Sequence, residues 1–447
     1  MAKVAQIGLV AALFVAVVAF GGTQELVFSL VEVFLLSLCL VFFLIRSGSE
    51  AQPLPWLPLG LLGLVVLQVL PLPVSLVGFF RSSPPGAAAA NFTTLSQDAY
   101  LTLSHLLFLG ACLAAFYLTV RVCQRPGVLR GLVLALLGLA ALEAFYGLVQ
   151  YLGGWERILL FPKRFSLGSA TGTYINRNHF AGLLVMLIPF AVALTYYQFK
   201  KVHSALLAQE DAEGVGLSRG DPSRLAFWFF ALILLFTALI FSGSRMGIVA
   251  AVVTLLALLA LIRTTAEQGR DWLALSVGFF LVAALLALWI GLEPVIFRFE
   301  QVGQELGETS ETRLAIWRDT LHLIGRYPLL GSGFGTFPVA YTAFQTAFPS
   351  KFVNHAHNDY LELASDLGLP GAIFFFALVI ALLRRAVLRF QEGGEGFVPV
   401  AALGCAGSIL ALLLVSLTDF NLYIPANALV FSVILGLTYS ASGDSGP

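Results

Sequence analysis

The chain has 447 residues with 25 basic and 25 acidic side chains, so the formal net charge is zero and no global field points to nucleic acid. Apolar residues make up 59% of it and charged residues 11%, with a mean hydropathy of +0.90, which excludes a soluble globular domain. These values place it among polytopic helical membrane proteins.

Taken in order, apolar runs of roughly 18 residues or more predict about twelve transmembrane helices. They fall near residues 4–22, 25–45, 54–72, 100–121, 128–152, 179–198, 225–241, 246–263, 272–292, 371–388, 397–418 and 424–440. The first run, after Lys3, has the look of a signal peptide but lacks a clear cleavage site and is followed closely by another run, so it counts as a first span. The expected fold class is an all-α polytopic membrane protein. Residues 1–292 hold helices 1–9, residues 293–370 form a large helical loop on the outer side, and residues 371–447 hold helices 10–12. A second long segment, 153–178, also lies outside the spans. No repeat, low-complexity array or separate soluble domain is visible. Cys39, Cys112, Cys123 and Cys405 lie in or beside apolar runs without paired spacing and read as small core residues.

Basic residues set the expected orientation. With the N-terminus inside, short loops on the inner side carry Arg121, Arg125, Arg130, Lys200 and Lys201, and Arg384, Arg385 and Arg389 stand at span ends. Most basic residues of the outer side fall in the two long segments, where the rule counts for less. Both termini are therefore expected inside, which puts Arg177, Arg245, Arg313 and His357 on one outer face. Chemistry shared by these residues would take place where ATP and nucleotide sugars are absent.

The polar motifs follow in chain order. In Thr173–Gly182, Asn176 or Asn178 can cap the sixth span and leave Arg177 at the membrane surface, either as a snorkelling anchor or as a ligand group. His179, taken alone, reads as a satisfied interfacial histidine. Phe241–Gly247 is a tight turn in which Ser244 can cap the next helix, and Arg245 beside hydrocarbon offers a bidentate fork that suits phosphate oxygens. Glu311–Asp319, with Arg313 and Trp317, has amphipathic spacing and is expected to lie along the membrane surface. Tyr327–Phe337 is glycine-rich, but no strand precedes it and no Lys-Ser/Thr follows. A phosphate-binding P-loop is therefore rejected in favour of a tight turn packed on the membrane domain.

The most polar stretch is Asn354–Glu362, where two histidines, two asparagines and two acids fall within nine positions. Polar groups are costly near a bilayer, so their concentration calls for a reason. Asp359 with Glu362 resembles a capping box, Gly368 suits a helix end and Pro370 opposes continuation, which predicts a short helix over 360–367. His357 then precedes a helix N-terminus, whose positive end disfavours imidazolium and attracts anions. His355 and His357 at i, i+2 make a poor structural zinc site, so no metal is expected. Glu32, Glu143 and Asp419 read either as a proton pathway or as interhelical hydrogen-bonding groups, with Gln150, Ser or Tyr as partners.

Together these motifs resemble the O-antigen ligase and polymerase superfamily. The resemblance rests on Asn176–Gly182, Ser242–Arg245, Arg313 with Trp317, Pro328–Gly333 and His355–Glu362 with Gly368–Gly371, in that order, and covers roughly residues 165–440. It implies a membrane glycosyltransferase of GT-C type in the bacterial inner membrane, with its site on the periplasmic face and neither metal nor cofactor. Such enzymes move a glycan from undecaprenyl pyrophosphate to a hydroxyl, that of lipid A-core in ligases or of the growing chain in polymerases. By the same resemblance Arg177 and Arg245 match pyrophosphate-binding positions, Arg313 is a further match, and His357 matches the base. Asn358, Asp359 and His355 are supporting residues. Attack by a hydroxyl on an anomeric carbon needs an acceptor for its proton, and a departing pyrophosphate needs cations, which arginines supply. Two other classes remain open. A small-anion transporter (some relatives are described as bicarbonate carriers) needs polar groups through the membrane centre. A non-catalytic envelope scaffold would tolerate loss of His357.

Overall fold

The computed structural model describes residues 2–45, 55–80, 91–210, 221–265, 302–346, 352–394 and 396–441. Fourteen α-helices occur among them. The first nine are α1 (Ala2–Val18), α2 (Glu25–Ile45), α3 (Leu59–Val69), α4 (Val74–Phe80), α5 (Ala99–Val122), α6 (Pro126–Leu152), α7 (Arg177–Glu210), α8 (Pro222–Ser242) and α9 (Arg245–Thr265). The remaining five are α10 (Val302–Arg326), α11 (Phe337–Ala340), α12 (Asp359–Gln391), α13 (Val398–Val415) and α14 (Pro425–Ala441). There are also two small antiparallel strand pairs, β1 (Leu72–Pro73) with β2 (Phe92–Thr93) across α4, and the hairpin of β3 (Arg157–Ile158) with β4 (Phe161–Pro162).

Among the described residues eight helices are long and apolar enough to cross a membrane: α2, α5, α6, α7, α8, α9, α12 and α13. Helices α1, α3 and α14 are apolar but shorter. Eleven of the twelve predicted intervals each coincide with one of these helices, and the run at 272–292 lies outside the described residues.

Helix α7 is the axis of the bundle. It is buried on nearly every side, and small residues let its neighbours approach. A Cβ on Gly404 of α13 would collide with the Phe190 ring, and one on Gly407 would meet Pro189. Pro189 interrupts the α7 ladder, and Ser408 Oγ donates to the nearby Met186 carbonyl. Glu143 of α6 is buried and accepts from the Thr173 backbone N–H at 2.8 Å and its hydroxyl at 2.9 Å. Gln150 donates to the carbonyls of Arg157 and Gly172. For Glu143 the geometry matches the hydrogen-bonding reading, with Thr173, in the segment before α7, in place of the helix partners expected. These bonds fix the segment that leads into Arg177.

The glycine-rich turn packs on the membrane domain. Ser332 N–H donates to Ser365 O at 2.8 Å, Gly333 N–H to Asp366 O at 3.2 Å, and Gly335 N–H to Asp366 Oδ2 at 2.7 Å. Buried Gln68 of α3 donates to the Leu330 and Asp366 carbonyls and accepts from Phe334 N–H. A Cβ on Gly331 (φ +70°) would stand 2.2 Å from Asp366 O, so the approach requires glycine on steric grounds as well as conformational ones.

Helix α12 is two helices joined at a kink. The first stops at Gly368, as its sequence signals predict, with a non-helical φ of +74° and ψ of +165°, and the part that holds the span expected at 371–388 begins at once. Pro370 falls in the first turn of the resumed part, where its missing N–H costs nothing.

Candidate active site

Four helix N-termini meet around the loop from Ser416 to Ile424. Helices α7 and α9 start side by side, since a Cβ on Gly247 would meet Ala181 Cβ at 2.9 Å. Arg177 and Arg245 are the first residues of these helices, roughly 6 Å and 3 Å along the axis from that contact at 1.5 Å per residue. Helix α14 joins through Asn427 Nδ2, which donates to the His179 carbonyl at 2.9 Å. Helix α12 joins through Asp359, whose N–H donates to the Ser416 and Asp419 carbonyls. The partial positive charges of these termini therefore point into one region.

The local sequence of the histidine turn explains its shape. Asn358, not Asp359, is the N-cap, accepting from Leu361 N–H at 3.1 Å while its Nδ2 donates to Leu417 O at 2.9 Å. The predicted pairing of Asp359 with Glu362 is thus displaced by one residue, because Asp359 is drawn inward. Its carboxylate accepts from Ser416 Oγ at 2.6 Å and from Leu422 N–H at 3.2 Å. Glu362 still reaches back, but to Ala356 N–H at 2.8 Å and to His355 Nδ1 at 2.7 Å. With its proton on Nδ1, His355 donates to that carboxylate. His357 holds a φ of +52°, a left-handed conformation that non-glycine residues adopt at a cost of about 1–3 kcal/mol. The surrounding bonds over-determine it.

Both histidines face one ring. His355 stacks on Phe420 with centroids 3.8 Å apart and a 12° interplanar angle, whereas His357 meets the same ring edge-on at 5.1 Å. The two histidines thus share one aromatic platform. His179 also meets Phe420, edge-on at 4.8 Å. It is buried, its Nε2 has no hydrogen-bond partner among the described residues, and it stands 3.7 Å from Asp419 Oδ1. His179 is thus a buried residue whose partner is Asp419.

Helix α10 brings in Arg313. One turn further along, Trp317 Nε1 donates to Ala356 O at 3.0 Å, which clamps α10 against the histidine turn. Ile316, Leu323, Phe337, Tyr341 and Ala356 form a small core beneath this contact. Arg313 is near enough to Asp419, Arg245 and His357 for their charges to act on one another.

The electrostatics follow from that arrangement. Burial first, then the positive charge of Arg313 and the neighbouring histidines, depress His357 to about 4, with Asp419 pulling the other way. His355 is likewise pushed down to about 4 by burial. Both rings are neutral at pH 7. Burial opposes the charge of Asp419, yet His179, the Phe420 N–H and His357 outweigh that and hold its carboxyl below the usual range. A buried carboxylate thus stands 3.7 Å from His179 and acts electrostatically on Arg313 and His357.

Arg177 stands at the edge of this group. Its N–H donates to Ser166 Oγ at 3.2 Å, and it lines an open pocket with Phe165, Ser166, Ile175 and Asn176. Asn176, rather than Asn178, caps α7 by accepting from Asn178 N–H at 2.9 Å. Among the described residues no group of three or more His, Cys, Asp or Glu is arranged to hold a metal ion. The structure thus gathers Arg245, Arg313, His355 and His357, sets Arg177 on the adjoining helix, and uses Asn358 and Asp359 to fix the turn. Sequence reasoning missed Phe420 and the pairing of His179 with Asp419. The signal available was an acid followed by an aromatic just past a span end, too common to single out.

No curated protein matches this chain. Residues 230–376 match the family described as O-antigen ligase, a stretch that includes Arg245, Arg313, Trp317, His355 and His357 but neither Arg177 nor Asp419. By this match, the region that carries the histidine turn and two of the three arginines belongs to the O-antigen ligase superfamily.

Proposed function

We propose that the protein is a metal-independent glycosyltransferase of the inner membrane that moves a glycan from undecaprenyl pyrophosphate to a hydroxyl on the periplasmic face, with lipid A-core as the acceptor. The observation that carries the reading is a neutral, half-buried His357 held in a left-handed turn within the field of Arg313, which in turn feels Arg245, where helix N-termini meet. In this reading the acceptor hydroxyl gives its proton to His357 as its oxygen attacks the anomeric carbon. The bond from that carbon to the pyrophosphate oxygen breaks, and the departing charge is taken by Arg177, Arg245 and Arg313. Bidentate guanidinium groups suit phosphate oxygens without a divalent cation. Asn358 and Asp359 hold the turn, and His355 and Glu362 brace it from below. The organisation proposed is spans over 1–292 and 371–447 with the site loop, 293–370, in the periplasm.

Polymerisation of repeats uses the same donor chemistry with a glycan hydroxyl as acceptor. Deleting the gene in its host tests the reading and separates the two. A ligase leaves the surface lipid with core alone, a polymerase leaves single repeats, and an unchanged surface glycan contradicts both.

A further inference from the structure

The segment from Trp155 to Leu167, which contains hairpin β3–β4, touches the site above through Phe165 and Ser166, which line the Arg177 pocket. Its composition is unusual for a surface. Trp155, Leu159, Leu160, Phe161, Phe165 and Leu167 are all exposed, Leu160 at 85%. Contiguous apolar area of this kind marks an interaction surface.

The segment is also firmly built. Trp155 N–H donates to Gln150 O at 2.8 Å, Leu159 N–H to Tyr146 Oη at 2.7 Å, and Lys163 N–H to Glu156 O at 2.9 Å. Lys163 Nζ donates to Ser169 O, and Gly168 N–H to Glu156 Oε1. The apolar side chains are therefore held outward by a fixed backbone. The turn chemistry agrees. Leu159 occupies the first position of the two-residue turn with a φ of +53°, where glycine, asparagine or aspartate is favoured. A water-facing turn gains by a polar residue there, whereas this one spends conformational strain to present Leu159, Leu160 and Phe161.

Two observations identify the occupant. The exposed apolar side chains continue the outward face of α6, where Leu142, Phe145 and Leu152 are exposed on a helix long and apolar enough to span a membrane. Exposed Arg157 and Arg164 flank the apolar tip, which matches anionic headgroups above hydrocarbon. We infer that Trp155–Leu167 is an interfacial insertion, seated in the outer part of the lipid leaflet on the side where α7 and α9 begin. Through Ser166, which accepts the Arg177 N–H, this seat fixes the start of α7 at headgroup level. The inference is independent of the transferase reading, because it concerns only what covers this face.

The test uses the full chain with its four cysteines replaced, reconstituted in phosphatidylcholine–phosphatidylglycerol vesicles. Leu160→Cys, Phe165→Cys and, for comparison, exposed Thr342→Cys each carry an environment-sensitive fluorophore. The probes at 160 and 165 should emit to the blue and be quenched by phospholipids bearing a nitroxide near the headgroup, with little quenching by iodide. The probe at 342 should show the opposite preference. Iodide quenching at 160 and 165 equal to that at 342 would overturn the inference by placing the hairpin in water. Quenching by neither agent would also overturn it, and would assign the face to a second copy of the chain.

Discussion

At the scale of single residues, the site depends on charge geometry that an isosteric swap does not preserve. Lysine keeps the charge of arginine but loses the fork that grips two oxygens. Arg177→Lys and Arg245→Lys should each cut transfer severely, while protein level and thermal unfolding stay unchanged, because neither side chain is fully buried. Near-normal transfer in both variants would leave them as interfacial anchors. His357 supports a second prediction. Its neutral form dominates above about 4, so the acid limb of the pH–rate profile should lie near 4 and not at the unperturbed 6.5. The same shift works against stability in acid. The unfolded chain takes up this proton as pH falls through 6.5, whereas the folded chain resists until about 4, so stability contributed at this residue falls across that window. A limb at 6.5 or above would show a solvated imidazole and remove the basis for its role.

At the scale of elements, the turn from Tyr327 to Phe337 and the break at Gly368 act as one fitted joint. Gly331→Ala places a Cβ against the Asp366 carbonyl at a φ of +70° and should lower the melting temperature in detergent sharply. Gly393→Ala has the same φ in open space and should cost only the backbone strain, about 1 kcal/mol. Equal effects would mean that close packing at Gly331 contributes nothing. These elements also show what the sequence made legible. Hydrophobic run length located the helices because membrane burial imposes it on every span, and the glycine-rich turn was separable from a P-loop by its neighbours. The capping residue was missed by one position because Ser416 and Leu422, sixty residues away, draw Asp359 inward. The Phe420 platform escaped notice for the same reason: nothing local to His355 or His357 specifies the ring they share. Long-range partners override local signals where the chain is most polar.

At the scale of the whole molecule, the account requires the starts of α7, α9 and α12 to face away from the cytoplasm. Phe352 is exposed just before the histidine turn, and Ser204 is exposed near the far end of α7. In a background without the native cysteines, Phe352→Cys should react with an impermeant maleimide in intact spheroplasts, and Ser204→Cys only after permeabilisation. The reverse pattern would place the site where nucleotide sugars are available and undo the proposed donor. The most direct measurement remains transfer itself, with purified protein in vesicles, a polyprenyl-pyrophosphate-linked glycan as donor, a lipid A-core acceptor and a chelator present throughout. A general base contributes about 10²–10⁴-fold, so His357→Ala should lose transfer by that order while still binding the donor, and His355→Ala should lose less. Full transfer by His357→Ala, or loss of wild-type transfer to the chelator, would contradict the account.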